Sequence, residues 1–203
     1  MKLNLSFLSA VALFLTLNVC AENHPLTSGV YEQMKLAVSS SGEVTGYYFD
    51  SMGDGVSQSC TFTLHGKAQS ADNAIISAHS AQDYPGTLIG TASGVMLSLH
   101  DGQQQPGCMN LLPPDIVTGI EFERSLKTEW QTLAQVATEK AYLHRFPAAD
   151  SKAKGWLVKN DVVGIITTKP GWSQVQFVNN DGKSTIAWVE NPQLKMLPAA
   201  ATH

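Results

Sequence analysis

Two cysteines, three histidines and a few aspartates are the residues of this 203-residue chain best equipped for chemistry, and their spacing decides what each set can do. Cys60 and Cys108, with 47 residues between them, could offer a nucleophilic thiolate, metal ligands or a disulfide. No Cys-x-x-Cys or His-x-x-x-His spacing accompanies either one, which argues against a metal. His65, His79 and His100 stand 14 and 21 residues apart, intervals that carry no ligand signature and read more simply as scattered surface imidazoles. Asp50, Asp54 and Gly55 share one turn but lack the ligand spacing of a calcium loop, and turn chemistry alone explains them, as it explains Asp101-Gly102. The chain has no Gly-x-Ser-x-Gly elbow, no His-Glu-x-x-His and no phosphate-binding glycine loop. Nor does it show a pair of general acid and base at readable spacing. The expectation is a protein that is not an enzyme and that carries no cofactor and no metal.

The N-terminus points to export. Lys2 supplies a positive charge ahead of an apolar run over residues 7–19, too short for a secure membrane span. Val19-Cys20-Ala21 fits a small-residue cleavage site that leaves Glu22 first. The alternative is a lipobox at Leu17-Asn18-Val19-Cys20 with lipid on Cys20, although Val19 stands where Gly, Ala or Ser is usual. The protein is thus expected to be periplasmic or secreted, or else a lipoprotein, with no later segment able to cross a membrane. In an oxidising compartment the even pair Cys60 and Cys108 reads as a disulfide, with two buried free thiols as the alternative. A cysteine engaged in that bridge cannot serve as a nucleophile.

The elements that must position these residues read as strands. Charged residues make up 15% of the chain, well under the typical quarter, and glycine, serine and threonine are plentiful. Segments 31–38 and 44–49 flank a Ser39-Ser40-Ser41-Gly42 turn. Cys60, Phe62 and Leu64 alternate on one face of a strand, and Val95, Leu97 and Leu99 on another. Residues 74–78 and 87–92 are further candidates, with turns read at 51–55, Pro85-Gly86, Ser93-Gly94 and 105–108. Seven or eight short strands imply a closed barrel or a sandwich, with Cys108 in a loop that the bridge pins to the wall. This domain, residues 22–124, holds eleven acidic and three basic residues, a net of −8; residues 125–203 hold six acidic and nine basic, a net of +3. Acidity disfavours nucleic acid and favours a basic partner. Residues 125–137 read as a linker, with a short helix suggested by the four-three-four spacing of Leu126, Trp130, Leu133 and Ala137. Residues 138–197 form the second domain and 198–203 a frayed tail after the signal peptide (1–21) and the two domains are accounted for.

The second domain carries the most specific pattern: Ala141-Tyr142-Leu143-His144, then Gly155-Trp156-Leu157-Val158-Lys159-Asn160-Asp161-Val162-Val163, then Gly171-Trp172-Ser173-Gln174-Val175, and finally Ala187-Trp188-Val189. Over about residues 141–197 this order resembles the bacterial SH3-like family. Asn160 replaces a family glycine and tolerates a left-handed backbone; Ala187 replaces another, where the backbone is expected to stay extended. The spacing independently marks Leu157, Val163, Ile165, Val175, Phe177, Ile186 and Val189 as inward positions. The fold class is therefore all-β, a disulfide-pinned barrel or sandwich followed by a small SH3-like barrel. The resemblance implies a module that targets or binds cell-wall peptides or proteins, with Tyr142, Trp156, Trp172 and Trp188 as its ligand-binding aromatics. The acidic first domain matches no family by motif; in charge and architecture it is loosely similar to periplasmic inhibitors of basic cell-wall hydrolases. A non-catalytic envelope binding protein is the leading expectation. Its partner would be a peptidoglycan peptide or a protein, and an inhibitor or immunity protein is the alternative.

Overall fold

The computed structural model describes residues 24–53 and 58–198. The signal segment with its alternatives at Cys20, the turn residues Asp54 and Gly55, and the tail from 199 lie outside the described residues.

Strand alternation builds the first body. The strands β1 (Gly29–Tyr31), β2 (Met34–Val38), β3 (Glu43–Met52), β4 (Gln58–Ala68), β5 (Asn73–His79), β6 (Asp83–Gly90), β7 (Gly94–Leu99) and β8 (Ile120–Lys127) follow one another as an antiparallel meander. Pairing of β1 with β8 closes it into an eight-stranded barrel. The alternating residues do what their period requires: Cys60, Phe62, Leu64, Val95, Leu97 and Leu99 are all buried inside. Eight strands enclose a space that side chains alone can fill. Tyr31, Met34, Leu36 and Leu88 complete the filling, and Tyr48 stacks on Phe62 at 4.7 Å. Pro85-Gly86 is not a turn. Both residues lie within β6, where Gly86 faces Leu99 of β7 and a side chain at 86 would collide with the Ser98 carbonyl. The glycine is there because two strands pass too closely for a Cβ.

The loop from 100 to 119 covers one stretch of this barrel, burying Leu112 and Ile116 beside the core. Cys108 lies in that loop and is bonded to Cys60 of β4, with both residues fully buried. The expected bridge therefore pins the loop to the wall.

The second body is a seven-stranded sheet that forms a half-barrel. Its strands are β9 (Thr132–Val136), β10 (Lys140–His144), β11 (Lys152–Val158), β12 (Val162–Lys169), β13 (Trp172–Val178), β14 (Ser184–Glu190) and β15 (Leu194–Met196), in the order β11-β10-β14-β13-β12-β9-β15. Val136, Ala141, Leu157, Val163, Ile165, Val175 and Val189 make its core, with Phe177 packed against them. Asn160 has φ 74°, the left-handed conformation expected of it, while Ala187 lies extended in β14 opposite Val175. Ile186 departs from the sequence reading. It is 56% exposed, because it pairs with Gln176 and stands one step out of phase with Ala187 and Val189.

Residues 125–137 contain no helix. They hold the end of β8, a short turn and β9. Leu126, Trp130 and Leu133 do meet on one apolar cluster, and that is why their spacing looked helical. The cluster also takes Ala37, Val162, Val178 and Leu197, so it is a third core shared by the two bodies. Trp130 is its centre, 1% exposed, with its indole laid against Gly164 and Nε1–H donating to Gln176 Oε1 at 2.9 Å. Around it, Ser28 Oγ donates to the Trp130 carbonyl at 2.6 Å, and the Leu133 N–H to Thr45 Oγ1 at 3.1 Å.

Candidate functional site

The four aromatics singled out from the sequence occupy four neighbouring strands, β11, β10, β14 and β13. Tyr142 pairs directly with Trp156, His144 with Trp188, and Gln174 with Trp188. Alternation turns Leu143, Val175 and Val189 inward, so these aromatics belong to the opposite, outer face. They divide into two kinds. Trp188 is 8% exposed and Trp172 is half-buried, its ring edge-on to His144 at 4.8 Å, while His144 Nδ1 lies 3.1 Å from the Ala148 carbonyl. These two mainly hold structure together. Trp156 is 50% exposed and, with Tyr142 beside it, forms the open part of the face.

Lysines cover these rings. Lys152 Nζ lies 3.0 Å from the Tyr142 ring centre, Lys140 Nζ 4.5 Å from that of Trp156, and Lys169 Nζ 5.4 Å from that of Trp188. Each ammonium gains from the negative face of the ring. Among the described residues, none of these three lysines has a carboxylate within salt-bridge distance, in contrast to Lys67 and Lys159. The face thus presents apolar area together with three ammonium groups that make no salt bridge among the described residues. Sequence reasoning missed Phe146, 67% exposed on the turn from β10 to β11. Its signal was an aromatic residue directly before Pro147, since a proline has no N–H to give a central strand and so marks a strand end or a turn.

A second feature opens between the two bodies. A cleft of about 730 Å³ has residues of β1, β2, β3, β8 and the β1–β2 turn on one side and residues 160–182 on the other. Lys35 reaches across it, donating to the Val162 carbonyl at 3.0 Å and the Val178 carbonyl at 3.4 Å. Its Nζ also sits 5.6 Å from the Phe177 ring centre. Burial lowers the Lys35 pKa from 10.5, and the negative charge of Asp161 opposes that shift. Burial likewise pushes the Tyr47 phenol up.

The Lys35 shift has a consequence for stability. The unfolded chain keeps this proton to higher pH than the fold does. Between the lowered folded value and the ordinary 10.5 the unfolded state binds more protons, so the contribution of Lys35 to stability rises with pH. Relative to Lys35→Met, the wild-type denaturation midpoint should gain as the pH is raised from about 8 to about 10. Parallel pH profiles for the two proteins would refute this.

No family model, curated protein or solved structure matches this chain.

Among the described residues, no three His, Cys, Asp or Glu side chains gather as a metal would require. His79 Nδ1 lies 2.9 Å from Asp83 and His100 Nδ1 2.9 Å from Asp101, each pair exposed on the barrel surface. Among the described residues, no helix is long and apolar enough to cross a membrane.

Proposed function

We propose that this is a non-catalytic binding protein of the bacterial envelope, exported through its N-terminal signal, whose SH3-like half recognises a cell-wall peptide. The observation that supports the reading is the open Tyr142–Trp156 pair with Lys152 and Lys140 over its rings, neither lysine making a salt bridge among the described residues. A wall peptide offers what this face lacks, namely carboxylates on an extended backbone with small apolar side chains. Ring area supplies contact, and the lysines supply charge complementarity. Trp172 and Trp188 support the platform from the neighbouring strands.

The protein should co-sediment with purified peptidoglycan sacculi, and Tyr142→Ala with Trp156→Ala should weaken retention about tenfold, the loss expected for two aromatic contacts. Sacculi that release soluble fragments would make it an enzyme, and protein that stays in the supernatant would end this reading. The alternative, a periplasmic inhibitor of a cell-wall hydrolase, is supported by the net charge of −8 over residues 22–124. A tight complex with a lysozyme or amidase, weakened by salt, would replace the wall peptide with that enzyme.

A further inference from the structure

We infer that the cleft between the barrel and the second sheet is a separate docking site for a basic segment of a protein partner, one that presents arginine or lysine next to an apolar side chain. The inference does not depend on the Tyr142–Trp156 face, because the cleft is built from other strands.

Three properties of its walls lead there. The first is apolar area left open in a concave place. Phe49 is 45% exposed, and Tyr47 and Phe177 line the same cleft half-buried. The second is charge. Glu32 and Asp50 stand on the barrel side and Asp161 on the sheet side, whereas Lys35 is the one cation among the lining residues. The Lys35 ammonium donates to the carbonyls of Val162 and Val178 and keeps its charge, which offsets one of the three lining carboxylates and leaves an excess of two negative charges among the lining residues. Behind the wall, in the barrel interior, burial and then the charges of Asp50 and Glu32 push the Tyr48 phenol up, with a hydrogen bond to Asp50 adding to the shift. The third is a precedent within the cleft. Lys35 over Phe177 shows that an ammonium fits against these rings, and a guanidinium from outside could lie on Phe49 or Tyr47 in the same way.

A second copy of this chain would have to bring the lysines of residues 125–203 into the cleft, and that outcome is read from the oligomeric state. A carboxylate-rich ligand is disfavoured by Glu32, Asp50 and Asp161 together. Gln33 and Asn180 also line the cleft and give amide partners to a peptide backbone.

The full mature chain should be titrated with the peptide amide Arg-Trp-Arg and with Glu-Trp-Glu, by calorimetry at low and at moderate salt. In protein carrying Tyr142→Ala with Trp156→Ala, so that the other face takes no acidic peptide, the expected result is binding of the basic peptide alone, weakened by salt. Phe49→Ala should weaken it about fivefold, the equivalent of one exposed cation–π contact. Glu32→Gln with Asp50→Asn should weaken it by a similar factor and flatten its salt dependence. Trp156→Ala should leave it unchanged, which keeps this test separate from that of the wall-peptide face. Asp72→Asn with Asp115→Asn, away from the cleft, should also leave it unchanged. The inference is overturned if neither peptide binds, if the acidic peptide binds the Tyr142→Ala, Trp156→Ala protein as well as the basic one does, if the remote pair weakens binding as much as the cleft pair, or if addition of peptide dissociates a dimer instead of loading a monomer.

Discussion

Trp130→Ala should cost about 3–5 kcal/mol and split one unfolding transition into two. The residue is almost wholly buried in the cluster shared by both bodies, and its indole fills the space that Gly164 leaves by having no side chain. Without it, Leu133, Val162 and Val178 lose their common neighbour, and Gln176 Oε1 loses its donor. Each body keeps its own core, so each should still melt cooperatively. Trp130→Phe keeps most of the volume and should cost about 1 kcal/mol, near the worth of the lost hydrogen bond. Gly164→Ala places a methyl group where the indole ring lies, so it too should be strongly destabilising in the wild type. In the Trp130→Ala background the same methyl has room. A double-mutant cycle should therefore show the pair to be far from additive. Additive losses, or one unbroken transition in Trp130→Ala, would mean that the two bodies are not held by this contact.

The other large effect belongs to the bridge. Replacing Cys60 and Cys108 by alanine opens a loop of 47 residues, and chain entropy puts the loss at about 4 kcal/mol. Against a domain stability of about 5–15 kcal/mol that is a large share. The loop from 100 to 119 would still bury Leu112 and Ile116, so the double variant should fold, with a lower denaturation midpoint. Alkylation of both thiols in unreduced wild-type protein would show that the bridge does not form.

Much of this architecture was legible from residue pattern. Cys60-Thr61-Phe62-Thr63-Leu64 and Val95-Met96-Leu97-Ser98-Leu99 alternate cleanly, and period two has only one structural meaning for a strand with a wet face and a dry one. A closed barrel was one of two expectations, and what was not legible was the choice between it and a sandwich. Closure depends on β1, three residues long, meeting β8 across a register shift between Val30 and Tyr31, and nothing in a short run of Gly-Val-Tyr announces that partner. The segment around Trp130 misled for a related reason. Its apolar residues face one cluster from two strands joined by a turn, and the resulting intervals of four and three imitate a helix turn.

The site shows the same division. Tyr142, Trp156, Trp172 and Trp188 were named together as candidates because large aromatics in so small a body either pack into it or face out. Which of the four did which was settled only by the pairing of β10 with β11 and β14. The lysines over the rings could not be foreseen, since Lys169 and Trp188 are on different strands and meet only through the fold. The cleft was wholly hidden. Glu32 and Asp161 are separated by most of the chain, and no local pattern links them.

The most direct measurement of the wall-peptide reading uses the four tryptophans as reporters. Their indole N–H signals, assigned in a ¹⁵N-labelled sample, are followed while a solubilised peptidoglycan stem peptide is added. The account predicts a saturable shift of the Trp156 indole, a smaller one at Trp172, a Trp130 signal that does not move, and a peptide recovered intact. A Trp156 signal that stays in place at saturating peptide, or a peptide that comes back cleaved, would contradict it.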